Sequence, residues 1–157
     1  MIKINVVCVG KIKEKYFQEA VDEYSKRLSR FCKLNIVQCR EENFVAEPNE
    51  CEAEIIKKKE GDSIIEKIRG YCVLTDIGGK KFSSESFSEY VSKFVDGGQE
   101  VTFIIGGSYG VSESVKKSSN DKISFSDMTF PHTLARVILL EQLYRAFKIK
   151  ENGRYHK

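Results

Sequence analysis

The sequence contains no apolar run long enough to cross a membrane. Its longest apolar stretches, Val6 to Val9, Val101 to Ile105 and Val137 to Leu140, fall far short of the roughly 20 residues needed to span a hydrocarbon layer. Nor does a basic segment precede an apolar one at Met1 to Asn5, and no small-residue cleavage site follows. Export is therefore not expected, and the cytoplasm is the expected compartment. Cysteine is present as five residues, Cys8, Cys32, Cys39, Cys51 and Cys72, an odd number with no C-x-x-C pair. That pattern indicates neither a disulfide framework nor a zinc site. Histidine is scarce: only His132 and His156 occur, neither with a partner at ligand spacing, so no metal is expected. An excess of one charge is also missing, since 26 basic against 23 acidic residues leave a net charge of +3. The total is too weak to announce nucleic-acid binding, and only its distribution is informative. Two nucleotide-binding fingerprints are absent as well, G-x-G-x-x-G and G-x-x-x-x-G-K-[ST]. A Rossmann dehydrogenase and a P-loop NTPase are both disfavoured.

What is present is a chain of 157 residues, 41% hydrophobic, with only two prolines, which suits one folded domain with one core. Met1 to Val9 reads as a buried strand ending at Gly10. Tyr16, Phe17, Ala20, Val21, Tyr24, Leu28 and Phe31 recur at helical spacing behind it. Leu34 to Cys39 is a second strand, and Arg40 to Asn49 an exposed loop. A charged helix runs from about Glu50 to Ile68, and its run Lys57-Lys58-Lys59 reads as a solvated face. Tyr71 to Ile77 is a third strand stopped by Gly78-Gly79, and Ser84 to Val95 a helix capped by Ser83 or Ser84 and closed by Gly97-Gly98. Val101 to Ile105 is a strand of the kind buried on both faces of a parallel sheet. Ser112 to Lys117, Lys122 to Phe125 and Thr133 to Lys148 complete the series as helix, strand and helix. The alternation predicts a three-layer α/β fold with a mostly parallel sheet, and a ligand site at the carboxyl ends of its strands.

Three loops follow the strands ending at Ile77, Ile105 and Phe125, and such loops converge on one edge of an open α/β sheet. They read Asp76-Ile77-Gly78-Gly79-Lys80, Gly106-Gly107-Ser108-Tyr109-Gly110 and Ser126-Asp127-Met128-Thr129-Phe130-Pro131-His132. Glycines let the backbone approach a ligand, so a nucleotide-type ligand held by backbone groups is possible here. Ser108 resembles a nucleophile elbow, with Asp127 and His132 as formal triad partners. An acid and a base five residues apart on one turn make that geometry poor. On the last helix Arg136 shares a stripe with Leu140, Leu143 and Phe147, so its guanidinium either reaches water from the first turn or meets an anion or an interface. Glu141 and Arg145 form an i, i+4 pair. Beyond them Lys148, Lys150, Arg154, His156 and Lys157, interleaved with Tyr144 and Tyr155, form the best basic and aromatic RNA contact in the chain.

At these residues the sequence resembles a known family. Gly10-Lys11, Gly79-Lys80, Ile104-Ile105-Gly106-Gly107, Ser124-Phe125-Ser126, Met128-Thr129-Phe130-Pro131-His132, Arg136, Glu141 to Phe147 and the terminal Tyr155-His156-Lys157 closely resemble the RlmH family. Its members are SPOUT-class methyltransferases acting on a pseudouridine of large-subunit ribosomal RNA. The resemblance covers Met1 to Lys157 and is most specific from Ser124 to Phe147 and at Tyr155-His156. It implies a single SPOUT-type α/β domain over residues 1–157, a mostly parallel sheet flanked by helices, and a deep C-terminal trefoil knot over about residues 72–157. The knot is an exception to the rule that chains are unknotted. It also implies a homodimer, and S-adenosyl-L-methionine held in the knot by Thr75, Gly106, Phe125, Ser126, Asp127, Met128, Thr129 and Phe130. Thr75 stands where relatives often carry leucine, so a backbone rather than an apolar side-chain contact is expected there.

The reaction so implied transfers a methyl group to N3 of a pseudouridine in 23S ribosomal RNA, on assembled ribosomes. His132, Arg136, Arg145, Tyr155 and His156 are expected to form the base-and-phosphate side of the site. Arg145 or Arg136 would stabilise the developing anionic base, His156 would assist loss of the N3 proton, and His132 would orient the cofactor loop. Two other readings remain open: a SPOUT enzyme acting on tRNA or another rRNA position, and a non-catalytic ribosome-binding factor that keeps the fold.

Overall fold

The computed structural model describes residues 1–43 and 46–152. Along it run β1 (Ile2–Val9), α1 (Lys15–Leu28), β2 (Cys32–Cys39), α2 (Glu50–Lys67), β3 (Tyr71–Lys81), α3 (Ser84–Gly97), β4 (Val101–Ile105), α4 (Glu113–Ser118), β5 (Asp121–Ser124) and α5 (His132–Asn152). The strands make one sheet in the order β2-β1-β4-β3-β5, and every neighbouring pair is parallel. All carboxyl ends therefore meet one edge. The alternating pleat divides the apolar strand residues between two helical layers. Ile4, Val6, Val101, Phe103 and Ile105 face α1, α3 and α5 through Val21, Leu28, Phe87, Val91, Leu139 and Leu143. Val7, Val9, Leu74 and Ile104 face α2 and α4 through Ile64 and Val115. The expected α/β layering is the observed one.

Helix ends follow local chemistry. Ser83, rather than Ser84, caps α3 in a reciprocal capping box with Ser86, and Gly98 closes it in the left-handed region at φ 61°. Asn49 and Ser112 accept the first-turn amides of α2 and α4. Phe31 lies beyond the end of α1, where its ring stacks on Phe147 of α5 at 5.3 Å between centroids. Helix α5 begins at His132, directly after Pro131, and runs past Lys148 to Asn152.

One boundary differs in kind. The pair Gly78-Gly79 does not stop β3, which continues to Lys81 and pairs again with β5 through Lys80 and Lys81 after a register shift that begins at Thr75. Gly79 permits this because a Cβ there would lie 2.6 Å from the backbone N and C of Ile123. The glycine is an approach of one strand to another, not a turn.

Gly79→Ala should therefore force β3 and β5 apart, lowering stability by about 1–3 kcal/mol. Gly97→Ala, where a Cβ would meet nothing within 4 Å, should be neutral or slightly stabilising. Thermal midpoints of the two variants measure the contrast, and equal midpoints would show that the close approach carries no strain.

Candidate active site

Because β4, β3 and β5 are neighbours, the segments that leave their carboxyl ends enclose one cleft of about 650 Å³. That is room for a nucleoside-sized ligand. Thr75, Gly106, Phe125, Ser126, Met128, Thr129 and Phe130 line it, as do Asp76, Ile77, Ser108 and His132. Asp127 does not. It is exposed and paired with Lys81, which ties the loop after β5 to the end of β3. Its side chain braces this loop within the segment expected to hold the cofactor. The same loop is held internally: Ser124 Oγ donates to Ser126 O at 2.9 Å, and Met128 N–H donates to Ser126 Oγ at 3.1 Å. Thr75 spends its hydroxyl proton on Ile104 O at 2.8 Å, which leaves its backbone as the part that can donate into the cleft. Gly107 and Gly110 form a small antiparallel bridge, with Gly110 N–H donating to Gly107 O at 3.1 Å and Gly110 at φ 85°. A Cβ on Gly106 would lie 2.6 Å from Val111 Cγ1, so backbone alone fits that wall.

Sequence reading missed the support behind this loop. Glu60 and Gly61 of α2 are both buried under it. Glu60 Oε1 lies 3.0 Å from where a Cβ of Gly107 would stand, and Gly61 leaves the room that Ser112 and Val115 occupy. Glu60 Oε2 accepts the Glu42 amide at 3.1 Å, while Oε1 has no hydrogen-bond partner among the described residues. Burial pushes the Glu60 carboxyl above its usual range, and the nearby Glu41 and Glu42 push the same way against the amide. A glycine inside a charged helix was the one available signal.

Arg136 is 2% exposed. Its Nη2 donates to Val9 O at 2.6 Å and to Gly10 O at 2.9 Å, gripping the end of β1, and lies 3.4 Å from His132 Nδ1. A guanidinium reaching water from the first turn does not describe this residue, because the stripe it shares with Leu140 and Leu143 faces the sheet, and among the described residues its bonds go to the backbone carbonyls of Val9 and Gly10. Both Nη2 protons are directed to the carbonyls of Val9 and Gly10, so the 3.4 Å approach to Nδ1 is a close electrostatic contact beside those two bonds. Burial first, and then the Arg136 charge, lowers the His132 pKa, opposed by Glu41 and Glu14. His132 is therefore a neutral imidazole on the cleft wall. With Nδ1 engaged by Arg136 and Asp127 held by Lys81, Ser108 has no triad. Arg145 lies away from the cleft and donates from Nη2 to Glu141 Oε1 at 2.7 Å. Tyr155 and His156 lie outside the described residues. Among the described residues no cluster of three or more His, Cys, Asp or Glu is placed to hold a metal ion, and no helix is long and apolar enough to cross a membrane.

A family model described as "Predicted SPOUT methyltransferase" matches residues 2–156. The chain belongs to the SPOUT methyltransferase family. It is 48% identical over 159 residues to a Clostridium beijerinckii protein named ribosomal RNA large subunit methyltransferase H, covering 99% of this chain and all of the relative. A Clostridium botulinum protein of the same name is 50% identical over the same shares. Among solved structures, a methylase family protein from Neisseria gonorrhoeae superposes with a TM-score of 0.51 at 11% identity, over 91% of this chain and 81% of that one. At that identity it shows the shared fold alone. The methyltransferase membership agrees with the resemblance read from Gly106-Gly107 and Met128 to His132.

Two outcomes are expected. Arg136→Lys keeps the charge, but its ammonium sits one bond short of Nη2 and lacks the planar guanidinium, so the bonds to Val9 O and Gly10 O should weaken and stability should fall by about 1–3 kcal/mol, whereas a surface phosphate contact would leave the thermal midpoint unchanged. His132 has a folded-state pKa below its unfolded value, so the unfolded chain takes the proton first and the native state loses stability as pH falls through the unfolded value near 6.5. The gap in midpoint between the native chain and His132→Gln should shift in favour of the variant between pH 7.5 and 5.5. A constant gap would place His132 in water.

Proposed function

We propose that the chain is an S-adenosyl-L-methionine-dependent methyltransferase that methylates N3 of a pseudouridine in 23S ribosomal RNA on assembled ribosomes, working in the cytoplasm as a homodimer. The observation that carries this reading is identity near one half, across the full length, to relatives named large-subunit ribosomal RNA methyltransferases. The cleft supports the cofactor assignment. Its walls combine apolar surface from Ile105, Ile123, Phe125 and Phe130 with backbone groups bared by Gly106, Gly107 and Gly110, a donor set suited to an adenine ring between loops. Asp76 is the one carboxylate on its lining among the described residues, and it suits ribose hydroxyls or an ammonium group. When bound, the cofactor supplies an electrophilic methyl group on sulfur. The proposal includes one domain over residues 1–157 and the knot over about residues 72–157; the single sheet is what supports the first.

The chain's own residues then have separate tasks. The loops after β3, β4 and β5 hold the reacting groups close and exclude water, an arrangement worth roughly 7 to 11 kcal/mol of barrier when a near-attack geometry is kept. Neutral His132 orients the last of these loops through its link to Arg136. Arg145, held by Glu141, is assigned the negative charge that develops on the base, Tyr155 a contact to that base, and His156 the N3 proton. Arg145 lies 13 positions beyond His132 on α5, which at 1.5 Å per residue is about 20 Å along the axis. Arg145 is accordingly absent from the lining of the cleft that His132 helps to wall. This separation supports the homodimer, with Arg145, Tyr155 and His156 reaching the cleft of the partner. The apolar rim of that cleft, Ile77 at 55%, Tyr109 at 41% and Met128 at 73% exposure, is what a partner would cover.

Purified protein, radiolabelled S-adenosylmethionine and, in parallel, free 23S rRNA, large subunits and ribosomes lacking the modification test the assignment. Label is expected on a pseudouridine in ribosomes. Cofactor binding with no ribosomal acceptor would move the target to tRNA, and no cofactor binding would leave a ribosome-binding factor. In single-turnover reactions at saturating ribosomes, His156→Ala should be slower by about 10²-fold or more; an unchanged rate removes it from proton transfer.

A further inference from the structure

The connection from β1 into α1 is built against helix stability. Glu14 stands at the N-cap of α1 with no side-chain cap bond, the first turn holds no acidic residue, and Lys15 opens the helix. A cation at that end opposes the helix dipole, and a missing cap leaves amides without partners. Lys11, Lys13 and Lys15 are all exposed, and among the described residues neither Lys11 nor Lys13 forms an ion pair. The pair Lys15 to Glu19 is loose at 3.7 Å and fully solvated. Next along the chain stands Tyr16, 66% exposed, one of the few large aromatic side chains left in water, braced on one side by Phe17 at 4.6 Å between ring centroids. Nothing in the packing requires three lysines and an open tyrosine here.

Their position is set rigidly. Arg136 grips Val9 O and Gly10 O at the root of the connection, Gly10 turns it at φ 83°, and Ile12 packs on the core between the two outward lysines. Glu14 is close enough to His132 to act on its pKa, and His132 lines the cleft. In the sheet β1 lies beside β4, whose loop forms another wall of the same cleft. The connection thus lies against the rim of the reaction site.

We propose that Lys11, Lys13, Lys15 and Tyr16 form an RNA docking surface beside the cleft, the ammonium groups meeting backbone phosphates and the tyrosine ring stacking on an unpaired base. The inference rests on the RNA substrate of the proposed function and names where, apart from the chain's end, that RNA is held. Closely set cations favour any polyanion, but cations alternating with an apolar anchor and followed by an open aromatic ring match single-stranded or looped RNA. An acidic protein face would need no stacking ring. The weak net charge of the whole chain is no obstacle, because phosphate contacts act locally.

Equilibrium binding of fluorescent protein to unmodified ribosomes, at several salt concentrations, tests this without relying on methyl transfer. Lys11→Glu with Lys13→Glu should weaken binding by tenfold or more and flatten the plot of log affinity against log salt by about 1.4, two contacts at roughly 0.7 each. Tyr16→Ala should weaken it by about fivefold or more, and Tyr16→Phe should restore it. Lys58→Glu, on the solvated face of α2, is the control and should change neither. A photoreactive phenylalanine at position 16 should crosslink to rRNA. Unchanged affinity and salt slope in the lysine variant would overturn the proposal, as would crosslinks to ribosomal protein alone. Dissociation of the variants into monomers would also overturn it, by assigning the surface to a second copy of the chain. If the native protein binds ribosomes but methylates none, the proposed function fails while this surface is still tested.

Discussion

One side chain holds the two ends of the sequence against each other. Arg136 sits in the first turns of the last helix, and its guanidinium bonds the carbonyls of Val9 and Gly10 at the end of the first strand. The arrangement is costly, since among the described residues Nε and Nη1 are buried without hydrogen-bond partners and no carboxylate is bonded to the charge. It is retained where three things meet: the root of the β1–α1 connection, the imidazole of His132, and the start of α5, whose buried face carries Leu139, Leu140 and Leu143 into the core. A lysine could supply the charge but not the reach, since its ammonium falls one bond short of Nη2. The strain resides at the edge where the reacting groups are expected, which is where folds keep such costs.

Around that clamp the site is shaped by what side chains would obstruct. Gly79 lets β3 lie against β5, Gly106 clears Val111, and Gly107 rests over the Glu60 carboxyl. Each removes a Cβ at a different contact, and together they bring three backbone segments to one cleft. A ligand bound there is recognised by amides and carbonyls, whose positions are fixed by the sheet, and by few side chains. Glu60 extends this support outward, since its two oxygens face the 41–42 segment and the glycine-rich loop.

Much of the fold is legible because apolar strand residues announce themselves. β4, Val101 to Ile105, is buried at every position, as its composition requires. The errors have equally physical origins. Gly78-Gly79 reads as a stop because local pattern cannot distinguish a glycine that turns from one that lets another strand approach. Phe31 fits the helical stripe of α1 but serves the aromatic contact with Phe147 from outside the helix. In the site, the three loops can be read from their glycines and their place after strands. The partner of Arg136 cannot, because Val9 and Gly10 are 127 and 126 residues away in sequence. Glu60 is hidden for another reason: in a helix crowded with Glu and Lys, one buried carboxyl looks like its solvated neighbours. Asp127 is hidden in another way, since its place in the loop after β5 does not reveal that its side chain turns to Lys81.

With one sheet among the described residues, there is one carboxyl edge on which the proposed cofactor and the proposed ribosomal substrate would both be met. The two demands differ. A cofactor cleft needs fixed backbone and exclusion of water, whereas RNA needs cations and open rings that remain solvated until contact. Under the proposed function the two are kept apart along that edge: glycine-rich segments after β3, β4 and β5 on one side, and the lysine-bearing connection after β1 on the other. Arg136 and His132 stand at the junction, neither of them free to move. Arg145 stands 13 positions beyond His132 on α5 and is absent from the lining of the cleft that His132 helps to wall. The proposed second copy would bring such a residue to the cleft without a larger chain, and would also cover Ile77, Tyr109 and Met128, which stand exposed in the single chain.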